Sequence, residues 1–260
     1  MKKKLITCLL LCLPLFAHAA GDVHLEKADI NLENKSSLRH GAKLFVNYCL
    51  SCHSASMMRY SRVGQDLGLT DDQVLDNLMF VANFDFDKLE EGEAKKIGEL
   101  MTVALRKEDG EKYFGTPVPD LTLTARAKGA DWLYTYLTTF YVDSKRPFGV
   151  NNTTFSNVGM PHVLWELDGL KDRVPKKDAD GKVMKDKDGH EIMELVRITE
   201  GTMTDAEYKR AVTDLVNFMV YMAEPIKVER QRTGIFVMFF LIILFLLAYL
   251  LKKEYWKDVH

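Results

Sequence analysis

The sequence predicts an all-α domain, with room for one small β-hairpin, carried on a single C-terminal membrane helix. Three observations lead there. Apolar residues recur at helical spacing behind the two capping boxes Thr70-Asp71-Asp72-Gln73 and Thr204-Asp205-Ala206-Glu207. A pentad, Cys49-Leu50-Ser51-Cys52-His53, sits at the end of the first helical pattern. Eighteen residues from Gly234 to Leu251 pass without a charge.

The start of the chain is not globular sequence. Lys2, Lys3 and Lys4 precede an apolar run from Leu5 to Phe16 and then Ala17-His18-Ala19. That is the form of a secretory signal peptide over 1–19, with the mature chain beginning at Ala20. An N-terminal anchor would need a longer run, and a lipidated Cys12 would need small residues before it. Cys8 and Cys12 leave with the leader, so the exported chain keeps only Cys49 and Cys52 and has no disulfide framework. The net charge of −2 includes the leader lysines, so the mature chain is more acidic still. This argues against nucleic acid as a partner and suits a basic soluble one.

The pentad reads C-x-x-C-H, the attachment signature of c-type haem. Two thiols three positions apart on one turn can each form a thioether to a haem vinyl group. The adjacent histidine then points its imidazole at the iron. A structural zinc site commonly uses two such pairs, and there is no second C-x-x-C. A thiol-redox pair would leave His53 without a role. Haem attachment belongs to the exported side of a membrane, in agreement with the leader.

In chain order, a first helix is expected from Ser36 to Tyr48, with Leu38, Ala42, Phe45 and Val46 as its apolar positions. Arg59 and Arg62 follow the pentad closely enough to reach a haem propionate, or to stay solvated at the surface. The first capping box opens a short helix through Val74, Leu75, Leu78 and Met79. Asp85 to Gly115 is charged and glycine-punctuated, an elaborated surface segment. Pro117-Val118-Pro119-Asp120-Leu121 is a rigid turn that can lay a backbone edge against a flat ligand. A helix is predicted from Ala130 to Tyr141, packing through Trp132, Leu133, Tyr136, Leu137 and Phe140. Arg146 to Val158 reads as a loop. From Lys171 to Ile198, the turn signals Asp180-Gly181 and Asp188-Gly189 predict a hairpin. Its acidic pattern lacks EF-hand spacing. The second capping box opens a helix to about Glu224, which Pro225 ends or kinks.

Gly234 to Leu251 would span about 27 Å at helical rise. Basic residues balance across it: Lys227, Arg230 and Arg232 before, Lys252, Lys253 and Lys257 after. Orientation therefore rests on the leader. The bulk (20–226) is exported and the tail (252–260) stays cytoplasmic, with 234–251 in the membrane. Tyr249, Tyr255 and Trp256 fall where interface aromatics belong.

If His53 fills one axial position, the other decides the chemistry. A methionine thioether raises the potential and closes the iron, histidine lowers the potential, and a vacant site permits catalysis or gas binding. Met219 and Met222 lie on a packing helix, and Met57 and Met58 are too close to Cys52. Met160, flanked by Gly159 and Pro161 after a flexible loop, is a candidate, and His162 is its rival.

With these residues in view, the sequence resembles the cytochrome c1 family, the haem subunits of quinol–cytochrome c reductase (cytochrome bc1) complexes, in their bacterial form. The resemblance runs from about His24 to the C-terminus. It rests on Cys49 to Tyr60 as a whole, the Pro119-Asp120-Leu121 turn with Arg126, Gly159-Met160-Pro161, and Ala223-Glu224-Pro225 before a basic stretch and one membrane helix. It implies one covalent haem c on Cys49 and Cys52, with His53 and Met160 as axial ligands to the iron. It also implies Pro119 against the haem and Arg126 on a propionate. The implied fold is a class I cytochrome c-like domain with long insertions. Implied partners are cytochrome b, a Rieske iron–sulfur protein as donor and a soluble or membrane-bound cytochrome c as acceptor. The implied location is the bacterial inner membrane, with the haem domain in the periplasm. No residue of the chain is expected to be catalytic; the oxidoreductase is the complex. The alternatives are a free-standing anchored carrier serving a terminal oxidase, and a haem enzyme or sensor with an open sixth site.

Overall fold

The computed structural model describes residues 24–80, 84–85, 90–91, 96–103 and 105–258. The leader and its cleavage site, with Cys8 and Cys12, lie outside these residues, as does part of the charged segment after Asp85.

Helix α1 (Lys35–Leu44) begins where the Asn34 side chain accepts the Ser37 backbone N–H, and it buries Leu38, Gly41, Ala42 and Leu44. It does not run regularly to Tyr48 as the apolar spacing predicts. Phe45–Cys49 is a π-helical turn, closed by Leu50 N–H donating to Phe45 C=O at 2.9 Å. The extra residue in that turn lets Phe45, Val46 and Cys49 all stay buried while the chain swings out of the helix.

Strand β1 (Ala55–Arg59) and helix α2 (Tyr60–Leu67) follow, neither of them anticipated by the sequence pattern. Helix α3 (Asp71–Leu78) starts at the Thr70 capping box, with both reciprocal bonds formed. Two residue pairs, β2 (Phe84–Asp85) and β3 (Glu90–Glu91), form a minimal ribbon. β4 (Leu100–Met101) pairs antiparallel with β1, bringing the charged segment back beside the pentad. Helices α4 (Lys107–Phe114), α5 (Thr124–Lys128) and α6 (Ala130–Thr138) come next. α6 stops three residues short of the predicted end, because Phe140–Val142 (β5) instead pairs with Val150–Asn152 (β6) inside the predicted loop.

The short helix α7 (Trp165–Asp168) leads into the expected hairpin. Its strands, β7 (Gly169–Pro175) and β8 (Met193–Glu200), place Lys171 opposite Arg197 and Pro175 opposite Met193. Gly169 has φ +83°, and a Cβ there would lie 2.1 Å from the Thr199 carbonyl, so the hairpin root closes only around glycine.

Helix α8 (Asp205–Ala223) opens on the second capping box and is the central packing element. Its buried row includes Tyr208, Val212, Leu215, Val216 and Met219. α1 crosses it so closely that a Cβ on Gly41 would sit 2.0 Å from the Asp214 carbonyl. Phe45 and Phe218 meet at 5.6 Å beside the crossing. Pro225 breaks the helix, and α9 (Lys227–Tyr255) leaves the domain with none of its residues buried. α9 is long and apolar enough to cross a membrane. Ion pairs Arg230–Glu224 at 2.5 Å and Arg232–Glu33 tie its base to the domain. The all-α class, the small hairpin and the apolar C-terminal helix all agree with the sequence-based expectation.

Candidate haem site

The pentad occupies the exit of the π-helical turn. His53 N–H and Cys52 N–H both donate to Cys49 C=O, at 2.9 and 3.1 Å, so the pentad is one helical turn with both thiols free. Burial, and then the neighbouring Cys52, push the Cys49 thiol up to about 12, which keeps it neutral.

The imidazole of His53 is fixed by the proline turn. Its Nδ1–H donates to the Pro119 carbonyl at 2.8 Å, which sets the tautomer and leaves Nε2 as a free lone pair. Burial lowers its pKa against opposing effects of the Pro119 carbonyl and Asp120, favouring the neutral, metal-competent form. The turn is in turn latched by Asp120. That carboxylate accepts the Ser56 and Thr122 backbone N–H groups, each at 2.8 Å, and the Thr122 hydroxyl at 2.5 Å. Leu121 N–H donates to Ser54 C=O at 2.9 Å. The sequence points to a rigid turn here; the aspartate that fastens it to the residues after His53 has no local signal.

His53 and Cys52 open on a cleft lined also by Tyr48, Phe114, Thr116, Val118, Pro119, Gly159, Met160, Pro161 and Val163. Among the described residues, no Asp, Glu, Lys or Arg lines the cleft. An apolar slot that gathers the Cys52 thiol, a free imidazole nitrogen and a thioether suits the iron and one tether of haem c; the second thiol, Cys49, is buried and is not among the lining residues. The donor set does not fit a hard cation, which needs oxygen ligands.

Met160 and His162 are separated by their neighbours. Gly159, Met160, Pro161 and Val163 face the cleft, whereas His162 turns away and is buried. Its ring stacks on Phe140, with centroids 4.8 Å apart and planes 2° from parallel. Its Nε2 lies 3.5 Å from the Asp168 carboxylate. The Met160 sulfur accepts the Tyr136 hydroxyl at 3.4 Å. Tyr136 was legible only as a packing residue, because its partner lies twenty-four positions away. Met58, Met219 and Met222 are buried in the core and Met57 is exposed.

Arg126 is exposed on α5 and outside the set that lines the cleft; its charge reaches the Glu224 carboxylate. Arg59 donates to the Gly98 carbonyl at 2.6 Å, and Arg62 pairs with Asp66 at 2.6 Å. Neither lines the cleft. At the hairpin tip, Asp186, Asp188 and His190 cluster at the surface. Asp186 there accepts the Asp188 and His190 backbone N–H groups, each at 2.9 Å, which is ordinary turn chemistry.

Comparison with known proteins places the chain in a family. Residues 29–259 match the model of the Cytochrome C1 family. A cytochrome c1 of Allochromatium vinosum is 44% identical over 264 residues, covering all of both chains. A protein of Nitrosomonas europaea named ammonia monooxygenase gamma subunit is also 44% identical, covering all of this chain and 99% of that one. Among solved structures, a chain of a hyperthermophilic respiratory complex III aligns over 100% of this chain and 95% of its own, with 17% identity and a TM-score of 0.43. The chain belongs to the cytochrome c1 family, whose members carry one covalently bound haem c.

Proposed function

We propose that this electron-transfer haem protein is the membrane-anchored subunit that passes single electrons from a Rieske iron–sulfur protein to a cytochrome c within a quinol–cytochrome c reductase complex. Haem, attached at Cys49 and Cys52, supplies a one-electron ferric/ferrous couple. The observation that carries the reading is that His53 and Met160 open on one uncharged cleft. His53 and Met160 would hold the iron. The Nδ1–H bond to Pro119 orients the imidazole, and the Tyr136 hydroxyl orients the thioether. A thioether sulfur that accepts one hydrogen bond still has a second lone pair for iron. Phe114, Val118 and Val163 exclude water, which lowers the reorganisation needed when charge changes. Arg126, outside the cleft on α5, would meet a propionate that projects from it, and Pro119, which lines the cleft, would border the ring.

The domain layout follows. Residues 1–19 are the cleaved signal, 20–226 the periplasmic domain, 234–251 the span of the inner membrane and 252–260 the cytoplasmic tail. Cytochrome b is the membrane partner. The chain supplies a haem, its potential and docking surfaces, and no catalytic residue.

The test is purification from native membranes through a tag after His260. Co-purifying b-type haem and a Rieske signal, with inhibitor-sensitive quinol-dependent reduction of added cytochrome c, supports the reading. A c-type spectrum alone, in preparations that keep other complexes intact, would favour a free-standing carrier. Co-purification with an oxygenase would move the chain toward the role in the Nitrosomonas europaea relative's name.

A further inference from the structure

The hairpin β7–β8 carries no haem-lining residue and no motif, yet its root meets the Met160 segment through one buried carboxylate. Asp168, at the end of α7, is fully buried. Lys171 Nζ, on β7, lies 2.7 Å from Asp168 Oδ2. Arg197 Nη2, directly opposite on β8, lies 3.5 Å from Asp168 Oδ1. The same oxygen that takes Lys171 is 3.5 Å from Nε2 of His162, two residues after Met160.

Each cation has a second attachment. Lys171 Nζ also donates to the Thr138 carbonyl at the end of α6, the helix whose Tyr136 bonds the Met160 sulfur. Arg197 Nη2 reaches Asp205 in the first turn of α8 at 2.5 Å. Asp168 thus joins both hairpin strands, two helices and the 159–163 segment at one point. A buried charge in such a place is costly unless its partners are held, so the arrangement fixes geometry as well as charge.

We propose that Asp168 is a positioning residue for the sixth haem ligand, and that the root of the β7–β8 hairpin serves to hold it. His162, pinned between Phe140 and Asp168, prevents the Gly159-Met160-Pro161 segment from withdrawing its thioether from the cleft. This rests on Met160 being the axial ligand.

The test uses the full-length haem-loaded protein in detergent. Two signals are read in the ferric state: the far-red methionine-to-iron charge-transfer band, and the apparent affinity for added imidazole, which competes with Met160. Asp168→Asn, nearly isosteric, should weaken the band and raise imidazole affinity by about tenfold or more, the range that partners of metal ligands command. Lys171→Gln should move both signals in the same direction, and it decides the matter if Asp168→Asn does not accumulate. Replacing Lys176–Ile192 by Asn-Gly keeps the Pro175–Met193 pair and shortens only the tip; it should change neither signal. Wild-type band and affinity in both point variants would overturn the inference, as would an equal change on shortening the tip. Absence of the band in the unaltered protein would instead overturn the Met160 assignment itself, and the inference with it.

Discussion

The Cys49–His53 turn owes its shape to bonds within itself, whereas the 159–163 segment owes its shape to residues distant in the chain. The first is a continuation of α1, closed by backbone bonds to the Cys49 and Phe45 carbonyls. It needs one outside contact, the Pro119 carbonyl, to orient the imidazole. The second is irregular, and its neighbours are Tyr136, Phe140, Asp168 and, through Asp168, both strands of the hairpin. A ligand carried on a regular turn is placed by local backbone geometry. A ligand on an irregular segment is placed by packing, so its position can be altered from a distance without touching the haem.

The largest effect belongs to the Cys49–His53 turn. Cys52→Ala removes one of two tethers, and the haem that survives denaturation should fall to a small fraction of wild type on a haem-stained denaturing gel. Full retention would contradict attachment through both thiols.

Asp168→Asn acts next, and on the packed side of the comparison. Burial would raise the Asp168 pKa, but hydrogen bonds from His162 and Lys171 win and hold it below the usual carboxylate value. A group whose folded pKa is depressed contributes stability above its unfolded pKa, near 3.9, and loses it as pH falls through the folded value. The substitution should therefore cost about 3 kcal/mol in urea unfolding at pH 7, at the low end for a broken buried pair because Lys171 and Arg197 stay 15% and 18% exposed. The gap between wild type and variant should close as the pH is lowered beneath 3.9. A gap that stays constant with pH would show that the carboxylate charge is not what is lost.

Tyr136→Phe sharpens the same side more gently. The hydroxyl draws electron density from the Met160 sulfur and so favours ferrous iron; its loss should lower the reduction potential, by no more than the roughly 1 kcal/mol such a bond is worth. An unchanged potential would reduce Tyr136 to a packing residue. Smallest of all is Asp186→Asn at the hairpin tip. Aspartate and histidine meet there as at the root, but in solvent, so neither Tm nor the haem spectrum should move.

The two segments also differ in how far they can be read from sequence. C-x-x-C-H specifies its own turn, and the boxes at Thr70 and Thr204 specify their helices, because each signal and its consequence lie within a few residues. The hairpin was legible for the same reason: Gly181 and Gly189 take positive φ at the turns that Asp180-Gly181 and Asp188-Gly189 announce. The π-helical turn at Phe45–Cys49 was not, since helical spacing alone gives no sign of one inserted residue. β1 and β4 escaped notice because each is short and becomes a strand only by meeting the other. The choice between Met160 and His162 could not be made from residue types. Which of two positions, two apart in an irregular segment, faces a cleft depends on Phe140 and Asp168, and those are tertiary facts. α8 and α9 make a related point. Both are apolar helices, but the charged positions of α8 leave one face to solvent while Ile235 to Leu251 offer no polar face at all.

The sixth ligand is read by potentiometry of purified Met160→Leu protein beside wild type, with carbon monoxide added to each reduced sample. Wild type should ignore carbon monoxide at neutral pH, while the variant should keep its covalent haem, titrate at a lower potential and bind the gas. An unchanged potential in Met160→Leu, or carbon monoxide binding to undenatured wild type, would contradict the Met160 assignment.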